Sequence, residues 1–368
     1  MPRSRAGRAA VAGLWLLALV VAAGGRGVSA RAAMRTIAVF PVENLSGRAI
    51  PAEAIRQSLE QRLASAGFHV LGSDAVEAFL VRHRLRYAAG IDAAAAGLLR
   101  QDAGADTVLF TSVDLCDSGV PPKLGLTMRL VSLAAAPAVV WADDAGLAGD
   151  DAPGLLEIGL VNDYERLQAR ALDSLSRSLL AYLETGAAAP VRQRASKFRP
   201  RSVYRLPIVE AGGTYSIAVL PFYNVGARRN AGEALSLLFI RHLSAFPQLH
   251  VLDSGVTRQE LLNARVIMDG GVSISDAEMV ASLVDADFVL AGRVLSYQDY
   301  EGPAGRTRVE FSTVLIDRKS RRMVFSSESD NTGDDGVVFF DRGRSRTAHI
   351  MATQMVRRTV EAIVGDAR

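Results

Sequence analysis

Ile37-Ala38-Val39-Phe40-Pro41-Val42-Glu43-Asn44 returns 180 residues later as Ile217-Ala218-Val219-Leu220-Pro221-Phe222-Tyr223-Asn224, with five of the eight positions identical. After one inserted residue, positions 69–113 align without gaps on 250–294, and 13 of those 45 are identical. The matches include His69-Val70-Leu71 with His250-Val251-Leu252, Gly90 with Gly271, and Ala105-Asp106 with Ala286-Asp287. Likeness of that extent at a fixed spacing marks a duplicated unit. The chain therefore reads as one domain written twice, over 34–186 and 215–368.

Each half predicts the same order of elements. The opening apolar run, stopped by Pro41 or Pro221, has the length of a buried strand. Ile55, Leu59 and Leu63 recur every four residues, as do Leu235, Phe239 and Leu243, so a helix with one apolar face follows in both halves. Second strands are expected at Phe68–Leu71 and Leu249–Leu252, with Ser73 and Ser254 at N-cap positions of the next helices. An Ala-rich helix, a third strand (Thr107–Val113, Phe288–Leu295), a strand pair and a long closing helix complete each half. The strand pairs are read at Leu124–Leu133 with Ala138–Trp141, and at Val309–Asp317 with Met323–Ser326. The closing helices are read at Tyr164–Leu183 and Ser345–Val364. Strand and helix in this alternation define an α/β (α+β) class with two tandem mixed-sheet sandwiches and helices packed on each sheet. Residues 187–214 hold five prolines and glycines among six basic residues without a period, and read as a linker.

Residues 1–30 have the layout of a secretory signal: Arg3, Arg5 and Arg8, an uncharged run from Ala9 to Ala23, then small residues ending at Ala30. Cleavage near Ala30 places the mature protein in the periplasm. Retention of the run as an anchor is the alternative, although a bilayer span needs roughly 20 apolar residues. Removing the leader deletes four arginines, so 42 basic groups become 38 against 39 acidic ones, a net charge of −1. Without an excess of positive charge, nucleic acid is excluded as an expected partner. Cys116 is the single cysteine. It rules out an internal disulfide, lies far from the leader where a lipid anchor would need it, and reads as a buried small residue.

The signature Ile-Ala-Val-Leu-Pro-Phe-x-Asn at 217–224, with Ala286-Asp287-Phe288-Val289-Leu290-Ala291-Gly292 and Leu315-Ile316-Asp317, resembles the periplasmic superfamily of the TolB amino-terminal domain. That superfamily also holds CsgG-like curli secretion channels and lipoprotein activators of penicillin-binding proteins. The first half departs from the pattern at Thr111 and Ser132. The resemblance implies a protein that docks onto other envelope proteins. A TolB-type β-propeller has no residues left to form it, and no spare alternating segments stand where a channel's membrane hairpins would be inserted.

Candidate sites follow from residue type and position. His69 and His250 share one strand entry, which points to a structural role, and Asp106 and Asp287 stand where a carboxylate accepts backbone N–H groups. Gly149-Asp150-Asp151 and Gly333-Asp334-Asp335 correspond, but Asp335 occupies the place where a calcium loop requires glycine. They read as solvated acidic loops. His83, His242 and His349 lie on helices without a ligand at metal spacing. Phosphate loops, nucleophile elbows and zinc-protease helices are absent from the sequence. No catalytic, cofactor or metal residue is assigned. Phe339 and Phe340 beside Arg342, Arg344 and Arg346 form the candidate partner-binding stretch, because aromatics flanked by arginines are enriched where proteins meet.

The expected function is a non-enzymatic periplasmic binding or scaffold protein supporting envelope assembly or transport, with activation of a cell-wall synthase as one form. The partner is an unspecified envelope protein, and membrane contact is indirect. A subunit of a CsgG-like outer-membrane secretion complex is the alternative, and it implies association between copies.

Overall fold

The computed structural model describes residues 36–151, 160–187, 197–206, 213–266, 271–299, 305–335, 337 and 344–365. The leader at 1–30 lies outside them. Residues 35–368 form one compact unit.

The first half runs β1 (Thr36–Val39), β2 (Glu43–Asn44), α1 (Ala52–Ser65), β3 (His69–Leu71), α2 (Ser73–Arg82), α3 (Ala93–Ala103), β4 (Thr107–Asp117), β5 (Lys123–Ser132), β6 (Ala138–Ala148) and α4 (Tyr164–Thr185). Next comes β7 (Ser202–Arg205), from the stretch read as linker. The second half runs β8 (Tyr215–Val219), β9 (Tyr223–Asn224), α5 (Ala231–Leu243), β10 (Leu249–Val251), α6 (Ser254–Asn263), α7 (Ile274–Val280), β11 (Phe288–Gln298), β12 (Arg308–Asp317), β13 (Arg322–Thr332) and α8 (Ala348–Val364).

Two mixed sheets have the same strand order, β3-β1-β4-β5-β6 and β10-β8-β11-β12-β13, with β7 added antiparallel along the outer edge of β13. The first three strands of each sheet are parallel and the last pair antiparallel, as helical crossovers followed by hairpins require. A bulge falls at the same place in both third strands, at Asp114 and at Leu295. The second strands and the helices after them start within one residue of the expected positions. Their caps differ: Gly72 precedes α2 without a side-chain bond, and Asp253, one residue before Ser254, caps α6 by accepting the Gly255 amide.

Helices α1 and α4 cover one face of the first sheet, burying Ile55, Leu59, Leu63, Leu167, Leu172, Leu175 and Leu179 against Ile37, Val39 and Leu109. Its opposite face, including Ala38, Phe40, Phe110 and Val131, shares a single core with α5, α8 and the near face of the second sheet. The far face of the second sheet packs on α6 and α7 through Leu261, Ala277 and Val280. Helix α5 is therefore buried on two sides, with Leu235, Phe239 and Leu243 toward its own sheet and Leu237, Leu238 and Ile240 also enclosed. The two expected sandwiches thus share a core. Among the described residues no helix is long and apolar enough to cross a membrane.

Candidate functional site

A dense set of buried ionisable side chains lies in the seam between the halves. Strands β4, β5 and β6 present Asp114, Thr127 and Asp144 on the face that α5 and α8 cover, and Asp143, next to Asp144 on the edge strand, also reaches α5. Asp114 is fully buried and accepts hydrogen bonds from the Ser112 hydroxyl at 2.9 Å and the Thr127 hydroxyl at 2.5 Å. His349, near the start of α8 and 0% exposed, stands between two carboxylates: Nδ1 is 3.3 Å from Asp114 Oδ2 and Nε2 is 3.4 Å from Asp144 Oδ2. These are ion-pair distances rather than well-aligned hydrogen bonds. The imidazole fits because the strands beneath it carry glycine. A Cβ on Gly125 would lie 2.9 Å from His349 Cγ, and one on Gly146 would lie 2.7 Å from Cδ2.

Around this centre, Arg241 of α5 reaches Asp143 at 3.0 Å and Asp144 at 2.8 Å. Arg228 donates to the Asp114 carbonyl, pairs with Asp299 at 3.3 Å and lies 4.5 Å above the Tyr297 ring. Asp299 in turn accepts the Ala348 amide at the start of α8. Burial opposes a charge on His349, but the two facing carboxylates outweigh it and raise the ring to about 9. Burial likewise opposes the charged form of Asp144, yet His349 and Arg241 hold it well below the usual carboxylate range. Burial and the neighbouring Arg241 push His242 down to about 3. At neutral pH the seam thus holds a histidinium between two carboxylates, with a neutral His242 bonded to Thr353 beside it.

A second knot joins the other end of the seam. Arg129 of β5 pairs with the fully buried Asp253 at 3.1 Å, and also donates to the Ala89 carbonyl and, at 3.0 Å, to the Ser254 hydroxyl. Asp253 accepts the Ile91 amide from the opposite half at 2.7 Å and its own Gly255 amide at 2.9 Å. Next to it, desolvation raises Glu43 to about 7, near Arg129, Asp114, Glu233 and Arg258. Tyr87 is pushed to about 12 by burial and by Glu43. A shallow cleft of about 290 Å³ runs along Asp144–Gly149 beside Leu167, Arg170 and Ser174 of α4.

The residues singled out in the sequence have defined places. Asp106 accepts the Thr36 amide at 3.0 Å and Asp287 the Ser216 amide at 2.7 Å, so each locks the entry to the opening strand. The acidic loops are closed turns: Asp151 accepts the Ala148 amide and Asp335 the Thr332 amide. Asn44 and Asn224, which end the quoted signature, each donate to a carbonyl four residues on, at Arg48 and Arg228. Cys116 is buried in β4. In the arginine stretch, Arg344 pairs with Asp334 at 2.7 Å and Arg346 with Asp150 of the other half at 3.4 Å. Phe339, Phe340 and Arg342 lie outside the described residues. Among the described residues no group of three or more His, Cys, Asp or Glu is arranged to hold a metal.

Reading the sequence alone passed over Asp114, Arg129, Asp144, Arg241, Asp253 and His349 as a set. The usable signal was the pair Gly125 and Gly146 inside strands, since strand glycines mark close approach.

No protein-family model matches the chain, and no curated protein does. Solved structures similar to part of it include the PelC dodecamer from Paraburkholderia phytofirmans, at 18% identity and a TM-score of 0.30 over 45% of this chain and 96% of that one. Lipoprotein GNA1162 from Neisseria meningitidis matches at 19% identity and a TM-score of 0.29, over 39% of this chain and 99% of that one. The LpoB C-terminal domain from Escherichia coli matches at 20% and 0.27, over 33% and 88%. Likeness of this degree defines neither a family nor an activity.

Proposed function

We propose that the chain is a non-enzymatic periplasmic binding or scaffold protein of the bacterial cell envelope, built by duplication of one TolB-N/CsgG-like domain and acting through protein–protein contacts. The observation that carries this reading is the seam. Its chemistry-bearing side chains, Asp114, Arg129, Asp144, Arg241, Asp253 and His349, are spent on one another, hold the two halves together and lie buried between them. The export-type leader and the resemblance of 217–224 to periplasmic docking domains support the location.

The stretch from Phe339 to Arg346 is the proposed contact surface. Arg344 and Arg346 are anchored by Asp334 and Asp150, with 19% and 18% of their side chains exposed. A photo-crosslinking residue at position 342 tests the reading in intact, fractionated cells. The expected outcome is a periplasmic adduct with an envelope protein that disappears when Arg344 and Arg346 become alanine. A protein recovered only from the cytosol, or no adduct at all, rejects it.

A further inference from the structure

The contact between the halves is head-to-tail: the α5/α8 layer of the second half lies on a sheet face of the first. Contacts of this kind do not close on themselves and repeat into rings or filaments unless something stops them. Strand register shows what stands at each outer end.

Leu115 pairs with Gly125 just beyond the bulge at Asp114, and Ser296 pairs with Glu310 just beyond the bulge at Leu295. Gly125 pairs with Gly146, and Glu310 with Asp330. Glu310 and Asp330 therefore occupy, on the second sheet, the places of the two glycines that admit His349 on the first. Arg308 ties them down, at 2.9 Å from Glu310 and 3.3 Å from Asp330. A further helix layer would have to displace this charged cluster. The bulge position itself carries Leu295, 40% exposed, in place of the buried acceptor Asp114.

The other end is altered in the same sense. Ile55, Leu59 and Leu63 of α1 correspond to Leu235, Phe239 and Leu243 of α5, and all six are buried. The enclosed residues of α5 that have no counterpart facing the sheet, Leu237, Leu238 and Ile240, correspond to Gln57, Ser58 and Glu60. Gln57 is exposed and the other two are half-buried. A stack of like units needs polar outer faces at its ends, and charged or polar side chains stand at both ends in the places where the internal contact uses glycine or apolar residues.

We infer that the chain is a capped two-layer stack: the head-to-tail contact is made once, within the chain, and neither outer face receives a second copy. The protein is then a monomer toward itself, and its outer faces are free for unlike partners.

Sedimentation velocity of the chain lacking residues 1–30, which lie outside the folded unit, tests this over a hundredfold range of concentration. The expected result is one monomeric species throughout; self-association of the native chain overturns the inference. Opening the caps should have the opposite effect. A Glu310→Gly/Asp330→Gly variant mixed with a Gln57→Leu/Ser58→Leu/Glu60→Ile variant should form a complex of about twice the mass of either. Two folded variants that stay separate on mixing overturn it. Should either variant fail to fold, the native concentration series still decides the matter.

Discussion

His349 occupies the space that a side chain on Gly146 would fill, since a Cβ there falls 2.7 Å from the ring carbon Cδ2 and 2.7 Å from Ile350 Cγ1. Glycine at this strand position is a condition for seating α8. Gly146→Ala is expected to lower the unfolding free energy by about 1–3 kcal/mol through overpacking. Strand propensity alone favours alanine over glycine, so a loss of stability measured by urea denaturation locates the cost in the close approach, and an unchanged or higher midpoint refutes it.

Asp253 compensates the buried Arg129, so removing it leaves a charge without a partner. Asp253→Ala is expected to cost about 3–5 kcal/mol, and Arg129→Met/Asp253→Ala less than the sum of the single changes. Additive losses in the double-mutant cycle would refute coupling across the seam.

Glu43 is raised from an ordinary 4.5 to about 7 by desolvation. Its protonated form is favoured on folding, so its contribution is full below pH 4.5 and is lost as pH rises through 7. Thermal melts from pH 5 to 8.5 should show Glu43→Gln gaining on the native chain at the alkaline end, by roughly 1–3 kcal/mol. Parallel curves across that range contradict the assignment.

His349 acts at higher pH. Raised from 6.5 to about 9 by its two carboxylates, it stabilises fully below pH 6.5 and progressively less as pH passes through 9. The native chain should lose stability from about pH 6.5 to about 9 and level off above that, and His349→Gln should be destabilised at low pH while lacking that step. Denaturant midpoints measured across this range give the answer.

Asp151 and Asp335 close matching turns after the last strand of each half. Asp335 accepts from the Thr332 amide and hydroxyl and from the Asn331 side chain, so Asp335→Ala should cost about 1–3 kcal/mol, and Asp151→Ala about 1 kcal/mol. Values near zero in both would show that the turns close without them.

Element order was legible because apolar periodicity does not depend on which surface covers a residue. The opening strands, the faces of α1 and α5, and the roles of Asp106 and Asp287 all follow from local spacing. Strand lengths were not. β6 continues to Ala148 and β13 to Thr332, well past the expected ends at Trp141 and Ser326. Asp143 and Asp144 fall beyond the expected strand end at Trp141, yet they are strand residues whose charges meet Arg241 and His349 of the other half. β7 was hidden for a related reason: four exposed residues on a sheet edge leave no hydrophobic pattern to read. The seam stayed invisible because its acids, arginines and histidine are scattered over more than two hundred positions and converge only once α8 is in place.

That late convergence has a cost during synthesis. Phe110 and Val131 are made early, but α8, which helps bury them, begins 216 residues after Ser132. At 5–20 residues per second the gap is roughly 10–40 s. Through that interval only α2 and α3 lie against that side of the nascent amino-terminal sheet, and the remainder of it stays oily and wet until the helices of the second half emerge.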